Sequence, residues 1–320
     1  MVPRTLEPLL AKRARYKQQL KGTNDSALRR RIDQRQTALK WLLVVSFGYL
    51  GYKNARFGRI EAHEAVTAHS RDVLLRAKEL AESEGFRLLH AIVDSLWLHR
   101  PGAVREDYDR LAAAITARTG LPIGVEGVYR WIGFLPSRVN RRMPVHNQFV
   151  GLFDDGRMKV RGLEVRRSDA PLIVKRAQSE VLRRMGRGRT IEELRTMVPE
   201  LLEIVSDHSR YLHEGRACIE EVAIGKTLSQ APERYRHVTA TSTAANELRQ
   251  RGVPLQPGET IRYVVSDTTA SLAEDRVRAV AGCDGTIAYD AAAYVTLLRK
   301  AVLAVLAPLG VTAGELDGRE

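Results

Sequence analysis

Residues 35–54 read RQTALKWLLVVSFGYLGYKN, and this stretch decides how the rest of the chain is interpreted. The stretch begins with charged and helix-forming residues. An apolar and aromatic run follows, which one serine and two glycines interrupt. The run is well short of the ~20 apolar residues that span a bilayer. We therefore expect it to continue the second helix of a basic helical hairpin, with helices at residues 6–20 and 27–43 and a turn at residues 22–26.

The charge of the chain is concentrated in this hairpin. The 320 residues carry 51 Lys and Arg against 38 Asp and Glu, a net charge of +13. Residues 1–60 alone hold 14 Lys and Arg against 3 Asp and Glu. Such an excess favours a polyanionic partner over an acidic small molecule. The two cysteines, Cys218 and Cys283, form no CxxC pair, so we expect a reducing, cytoplasmic location and no membrane partner.

The order of patterns along the chain predicts an α+β fold. Residues 61–83 predict a helix, and residues 86–98 predict a strand that hinges about Asp94. From residue 171 onward long helical patterns dominate, and Thr190 with Glu193 has capping-box spacing. The other predicted segments are a helix at 107–118, strands at 125–134, 148–153, 157–165, 219–224 and 261–265, a hairpin turn at 154–156, and a closing apolar helix at 294–306.

Three cations of the hairpin could bind phosphate groups. Arg13 and Lys17 lie four residues apart, so they share one face of a helix, and Lys40 comes from the antiparallel partner helix. Several charge-assisted donors suit a nucleoside triphosphate. Because Lys40 lies farther from the turn than Lys17, the ligand would have to be extended. A solvated basic surface without a specific ligand is the alternative interpretation.

Asp94 is the principal candidate for a metal ligand. It lies in AIVDSLWL, and a carboxylate buried among such apolar neighbours requires a cation, of which Mg²⁺ is one example. The alternative is a carboxylate that pairs with an arginine or is exposed at a strand end. Glu126 is a second carboxylate on a predicted strand. The sequence contains no HExxH or GxSxG pattern, which gives hydrolase chemistry little support.

Taken in order, these segments resemble the C-terminal half of a family B DNA polymerase. LEPLLAKRARYK resembles the first fingers helix, which implies that Arg13 and Lys17 contact the incoming triphosphate. Residues 35–71 resemble motif B and the palm helix after it, which places the triphosphate-binding lysine at Lys40. HAIVDS occupies the place of the YGDTDS motif, so the metal-binding aspartate falls on Asp94. Glu126 matches a palm glutamate more loosely.

The resemblance also implies an organisation and a duplex-binding region. Residues 144–171, PVHNQFVGLFDDGRMKVRGLEVRRSDAP, resemble the passage from palm to thumb that grips the primer-template duplex. The implied domains are a fingers hairpin at 1–47, a partial palm built on an antiparallel sheet at 48–170, and a mostly helical thumb with the C-terminal return at 171–320. The implied DNA-binding residues are Gly48, Lys159, Arg161, Arg166 and Arg167.

Departures from the family pattern define the functional hypotheses. Val44 stands where motif B has Asn, Ile92 replaces the first Asp of YGDTDS, and motif A, which carries the other metal-binding Asp, has no counterpart. The first hypothesis is one subunit of a split DNA-directed DNA polymerase in replication or repair, associated with the nucleoid. It would use Mg²⁺, dNTP, primer-template DNA and a second polypeptide that supplies motif A and could carry the exonuclease. The alternatives are a non-catalytic DNA-binding subunit with a polymerase fold and a basic helical nucleic-acid binder.

Overall fold

The computed structural model describes residues 2–137, 139–140, 143–282 and 288–316. The chain forms two compact units, Met1–Val125 and Glu126–Glu320. Helices combine with three small antiparallel sheets among the described residues, so the predicted α+β class is confirmed. The domain boundaries at residues 47 and 170 remain predictions. Cys283 lies outside the described residues.

A helical hairpin opens the first unit. Helices α1 (Val2–Gly22) and α2 (Ser26–Leu50) are antiparallel because only three residues connect them. Asp25 caps α2, since its Oδ1 accepts from the backbone N of Ala27 at 2.9 Å and of Leu28 at 3.3 Å. The hairpin and its turn are therefore confirmed. The predicted end of the second helix near residue 43 is wrong, because α2 continues to Leu50.

A small α/β core completes the first unit. It contains α3 (Ile60–Ser83), β1 (Arg87–Ile92), β2 (Ser95–His99) and α4 (Arg105–Thr119). The predicted strand at residues 86–98 is a hairpin of two antiparallel strands. The buried side chains of this core are Ala77, Ala81, Phe86, Leu111 and Ile115.

The second unit begins with the sheet β3–β4–β5, formed by Tyr129–Pro136, Pro144–Phe153 and Met158–Arg161. The turn at residues 154–156 is confirmed, and Gly156 there adopts a φ of 84°. A second sheet is formed by β6 (Ile224–Thr227), β7 (Thr260–Val265) and β8 (Val277–Ala279). The remaining helices are α5 Leu172–Met185, α6 Ile191–Thr196, α7 Val198–His213, α8 Ile219–Val222, α9 Ala240–Gln250, α10 Ala273–Arg276, α11 Ala291–Leu306 and α12 Ala313–Leu316.

The large core of the second unit is centred on α11, which packs against α5 and α7. Leu298 and Leu306 of α11 and Ile173 of α5 are fully buried there. Trp131 of β3 belongs to the same core, and its Nε1 donates to the carbonyl oxygen of Gly188 at 3.0 Å. By length and composition alone, Ala291–Leu309 could cross a membrane. Its fully buried leucines instead pack as those of a core helix do.

Candidate functional site

The three predicted phosphate-binding cations lie on the two helices of the hairpin. At 1.5 Å of rise per residue, Lys17, Arg13 and Lys40 lie about 9, 15 and 22 Å from the connecting loop. Lys17 and Lys40 are exposed, and Arg13 is half-buried. Within the described part of the chain, none of the three pairs with an acid, and the buried Nε of Arg13 has no hydrogen-bond partner. These cations are therefore available to an extended anionic ligand.

Asp94 lies at the tip of the β1–β2 hairpin. Ile92 pairs with Ser95 in the register, so Val93 and Asp94 form a two-residue turn. Asp94 is exposed, and its Oδ1 accepts from the Ser95 hydroxyl at 3.3 Å. The interpretation that apolar neighbours bury this carboxylate is wrong. The turn lifts it out of the strands, as the exposed alternative predicted.

The backbone of the same turn is strained. Val93 adopts a φ of 47°, in the left-handed region that a β-branched residue rarely enters. Such a conformation costs of order 1–3 kcal/mol and is found preferentially at functional sites. The strain therefore directs attention to the neighbouring carboxylate of Asp94.

The donor set at Asp94 fits one part of a magnesium site. Among the residues that the structure describes, no three His, Cys, Asp or Glu side chains converge as a metal-binding group. Mg²⁺ is commonly held by one or two protein carboxylates together with water and substrate phosphates. An exposed carboxylate with free lone pairs can provide one of these ligands.

Glu126, the second carboxylate candidate, forms an ion pair with a predicted DNA-binding residue. It precedes β3, and its side chain contacts the Nζ of Lys159 on β5. The Lys159 side chain is 18% exposed, whereas that of Glu126 is 61% exposed. A metal at Glu126 would have to displace this lysine. The metal role of Glu126 and the DNA role of Lys159 both remain predictions.

The other predicted DNA-binding residues have different surroundings. Arg161 at the end of β5 and Arg166 at the end of a short 3-10 helix are exposed. Arg167 donates from Nε and Nη2 to the two carboxylate oxygens of Asp169, both at 2.9 Å. Hydrogen bonding to Asp169 raises the pKa of the Arg167 guanidinium. Gly48 lies in the exposed part of α2, where a Cβ would meet nothing within 4 Å, so an approaching backbone has room.

Lys226 is a basic residue that sequence reasoning missed. It lies on β6, and its Nζ contacts the same carboxylate of Asp169 that binds Arg167. Hydrogen bonds from Arg167 and then Lys226 hold the pKa of Asp169 well below its usual range. A single lysine in a short strand is too common a pattern to mark this contact, since 57 residues separate the two side chains.

An apolar surface covers the second half of α2. Trp41, Leu42, Val44, Val45 and Phe47, here named the α2 apolar surface, are between 41% and 60% exposed. Their positions point in several directions around the helix, because successive residues are about 100° apart. A helix that is apolar all round is normally buried. This half of α2 therefore has the composition of a helix that packs against further protein or ligand.

The comparison with protein families decides the interpretation of these elements. The model of DNA polymerase family B matches residues 1–103 and 146–309, which is more than half of the chain. The chain belongs to this family. The resemblance drawn from the hairpin, HAIVDS and residues 144–171 is thereby confirmed.

Relatives of this family B chain are longer than it is. A DNA polymerase of Archaeoglobus fulgidus is 31% identical over 263 residues, which are 82% of this chain and 32% of the relative. DNA polymerase 2 of Saccharolobus solfataricus is 36% identical over 172 residues, which are 54% of this chain and 26% of the relative. The matched residues thus span between about a quarter and a third of the length of these relatives.

A solved structure of the family supports the same fold. The family B DNA polymerase of Pyrobaculum calidifontis matches 97% of this chain with a TM-score of 0.61 and 26% identity. The match covers 38% of that polymerase. The family fold therefore extends over nearly the whole chain.

Proposed function

We propose that this chain is one subunit of a split family B DNA polymerase, and that a second polypeptide supplies motif A. The observation that carries the proposal is the combination of one exposed carboxylate at Asp94 with an uncovered α2 apolar surface in the same unit. Template-directed nucleotidyl transfer onto a DNA primer is the reaction. Magnesium, dNTP and primer-template DNA are the cofactor and substrates, and replication or repair is the setting.

The helical hairpin binds the incoming nucleotide in this proposal. Arg13, Lys17 and Lys40 neutralise the triphosphate, whose oxygens gain from charge-assisted hydrogen bonds. Because the three cations lie at different heights along the hairpin, each contacts a different part of an extended triphosphate. The buried Nε of Arg13 has no hydrogen-bond partner among the described residues, so the guanidinium is not held by another side chain through this atom.

Asp94 and an aspartate of the second polypeptide would hold magnesium. When bound, magnesium would neutralise the charge that develops as the primer 3′-hydroxyl forms a bond to the α-phosphate and the bond from the α-phosphate to the departing pyrophosphate breaks. The turn contributes by fixing the carboxylate of Asp94 at an exposed tip, where a substrate phosphate can reach it. Strain at Val93 is consistent with selection for that placement rather than for stability.

The second unit binds duplex DNA. Arg161 and Arg166 are exposed cations suited to phosphate contacts, and these contacts position a duplex without reading its sequence. Lys159 joins them only if phosphate replaces Glu126 as its partner. Affinity for duplex should therefore fall steeply with salt.

The α2 apolar surface supports a protein partner. Contiguous exposed apolar patches on soluble proteins mark interaction sites. In this proposal, motif A belongs to the palm, and the polypeptide that carries it has to lie close to Asp94 to complete a two-metal site, in which the ions are ~3.5–4 Å apart. The α2 apolar surface of the same unit is the surface on which we place this polypeptide.

Primer extension tests the proposal directly. The chain is purified from its native source with whatever polypeptide accompanies it, and extension is measured for the complex and for the chain alone. We expect activity only in the complex. Asp94→Ala should lower its rate by at least about a thousandfold, since a metal supplies several kcal/mol of transition-state stabilisation. Asp72→Asn, an exposed acid on α3, is the matched control and should leave the rate unchanged. Robust extension by the isolated chain contradicts the split arrangement.

A second candidate is a non-catalytic DNA-binding subunit that retains the polymerase fold. Val44 and Ile92, which replace polar residues of motif B and YGDTDS, favour it. Extension by the complex that is unchanged in Asp94→Ala would select this candidate.

A further inference from the structure

A groove in the second unit is lined by cations and hydroxyl groups. It has a volume of about 460 Å³ and lies between residues 166–169 on one side and strands β6 and β7 on the other. Sequence reasoning singled out only two of its side chains. The lining residues that matter here are Arg166, Arg167, Asp169, Lys226, Thr227 and Thr260.

Asp169 joins the two sides of this groove. Its carboxylate binds Arg167 through two hydrogen bonds of 2.9 Å and also contacts the Nζ of Lys226. The Asp169 side chain is 21% exposed, whereas those of Arg167 and Lys226 are 55% and 39% exposed. The acid is thus covered, and the two cations that it binds remain open to solvent.

The two cations retain donors for another ligand. A guanidinium has five N–H donors and an ammonium has three, and Asp169 uses only part of each set. The Thr227 and Thr260 hydroxyls lie 3.1 Å apart at the edge of the groove and add two further polar groups. With Arg166, the groove has three cations against one acid. This donor set matches a phosphate group, which gains from several charge-assisted bonds and hydroxyl contacts together.

We propose that this groove binds a phosphodiester group of the DNA backbone and that Asp169 is a positioning residue that holds Arg167 and Lys226 for it. The inference rests on the proposed function, which supplies DNA as the polyanion. Ordering a free Lys or Arg side chain costs rotamer entropy. Because Asp169 fixes both side chains before DNA arrives, this cost does not reduce the DNA affinity. The carboxylate stays charged at all working pH values, since its neighbours depress its pKa.

The proposal predicts a change in DNA affinity that is opposite in sign to the usual effect of removing an acid. Removal of an acid close to a DNA-binding surface normally strengthens binding, because it removes repulsion from the phosphates. If Asp169 positions the two cations, its removal weakens binding instead. The sign of the change therefore separates a positioning role from a simple electrostatic one.

The test uses the full chain and a short DNA duplex, with affinity measured by fluorescence anisotropy over a range of salt concentrations. We expect Asp169→Asn to weaken binding by roughly three- to tenfold and to make the salt dependence shallower. Asp169→Glu should recover part of the loss. Asp155→Asn, an exposed acid paired with Arg157 in the same unit, is the matched control and should bind as tightly as the unchanged protein or more tightly. Tighter binding by Asp169→Asn overturns the proposal.

Lys226→Ala provides a second test that leaves Asp169 and its pair with Arg167 in place. It should reduce the salt slope by about one phosphate contact. In the Asp169→Asn background it should cost less than it does alone, since the lysine is no longer held. An unchanged slope in Lys226→Ala overturns the proposal even if Asp169→Asn fails to fold.

Inorganic phosphate separates a DNA site from a site for a free anion. Phosphate binding is measured by calorimetry with the unchanged chain and Asp169→Asn. If Asp169→Asn loses phosphate binding but keeps its DNA affinity and salt slope, the groove serves a free anion and the DNA proposal is overturned. A chain that binds no duplex at all refutes the proposed function. Tighter duplex binding by Asp169→Asn in an active complex refutes this inference alone.

Discussion

The two compact units differ in how far their charged side chains are paired and their apolar side chains are buried within the unit itself. In the second unit, α11 is surrounded by other elements, and Glu126 and Asp169 each have a cation partner. In the first unit, the described core is small, and no described cation of α1 or α2 pairs with an acid. The α2 apolar surface is open in addition. The second unit is therefore stabilised by its own contacts, whereas the first has groups that ligands and partners are expected to satisfy.

This difference has a thermodynamic meaning. Stability is a small difference between large terms, so a unit that leaves apolar area exposed has less favourable free energy to offset its chain entropy. Binding of a partner or nucleotide to the folded state raises stability by mass action. We expect the first unit to gain stability on assembly and the second to change little.

The largest expected effect lies in the core of the second unit. Leu298→Ala removes a fully buried side chain from α11 and should lower the free energy of unfolding by about 2–5 kcal/mol. Leu172→Ala on α5, where the leucine is 45% exposed, is the control and should cost far less. Urea denaturation measures both. Equal losses of stability in the two variants would show that the buried position on α11 contributes no more to stability than the exposed position on α5.

A charge introduced on the α2 apolar surface tests whether this part of the first unit binds the second polypeptide. Leu42→Asp should weaken association with the second polypeptide by about 2–3 kcal/mol, because an unpaired carboxylate would be buried at the interface. Leu75→Asp on α3 is the matched control, since both leucines are 56% exposed. Analytical ultracentrifugation of the complex gives the two affinities. Equal affinities in the two variants would place the interface elsewhere.

Substitution of a hairpin cation tests whether the unpaired charges of the first unit bind nucleotide. Lys40→Ala should weaken dNTP binding roughly tenfold, the effect of losing a charge-assisted hydrogen bond of ~1.5 kcal/mol. Thermal stabilisation by dNTP should therefore decrease in this variant. Lys21→Ala at the end of α1 removes a lysine from the same hairpin and should leave the stabilisation intact. An equal decrease in both variants would indicate a diffuse basic surface.

The smallest expected effect concerns the ion pair of Glu126 and Lys159. Exposed pairs contribute ~0–1 kcal/mol, so Glu126→Gln should change the free energy of unfolding by less than this amount. Duplex affinity should rise a few fold because a negative charge that repels the DNA phosphates is removed. Glu203→Gln on α7 removes the same charge from a different exposed site and serves as control. A severe loss of primer extension in Glu126→Gln would instead support the metal role predicted for this residue from the sequence.

Local patterns predicted most elements, and the errors have physical causes. The second helix was predicted over residues 27–43, but α2 continues to Leu50. The Ser46 hydroxyl donates to the Leu42 carbonyl oxygen at 2.7 Å, so this serine is accommodated within the helix. Residues 219–224 were predicted as a strand, but the Glu221 carboxylate accepts from the Cys218 backbone N at 3.0 Å and caps the short helix α8. At α8, a side-chain hydrogen bond to the backbone outweighed strand propensity.

Only part of the candidate site could be predicted from local sequence. Asp94, Arg13, Lys17 and Lys40 could be selected because each lies in a local motif whose order matches a family. The exposure of Asp94 was predicted only as an alternative, since it depends on a two-residue turn with a valine in a rare conformation. The groove around Asp169 could not be predicted, because it joins segments that are distant in sequence.

Two of the three tryptophans differ in exposure, so their intrinsic fluorescence can report on the two units separately. Trp131 is 4% exposed in the core of the second unit, whereas Trp41 is 60% exposed on α2. The indole of Trp131 should emit at short wavelength and follow melting of that unit. The emission of Trp41 should shift to the blue when another surface covers it, so assembly can be followed without any attached dye.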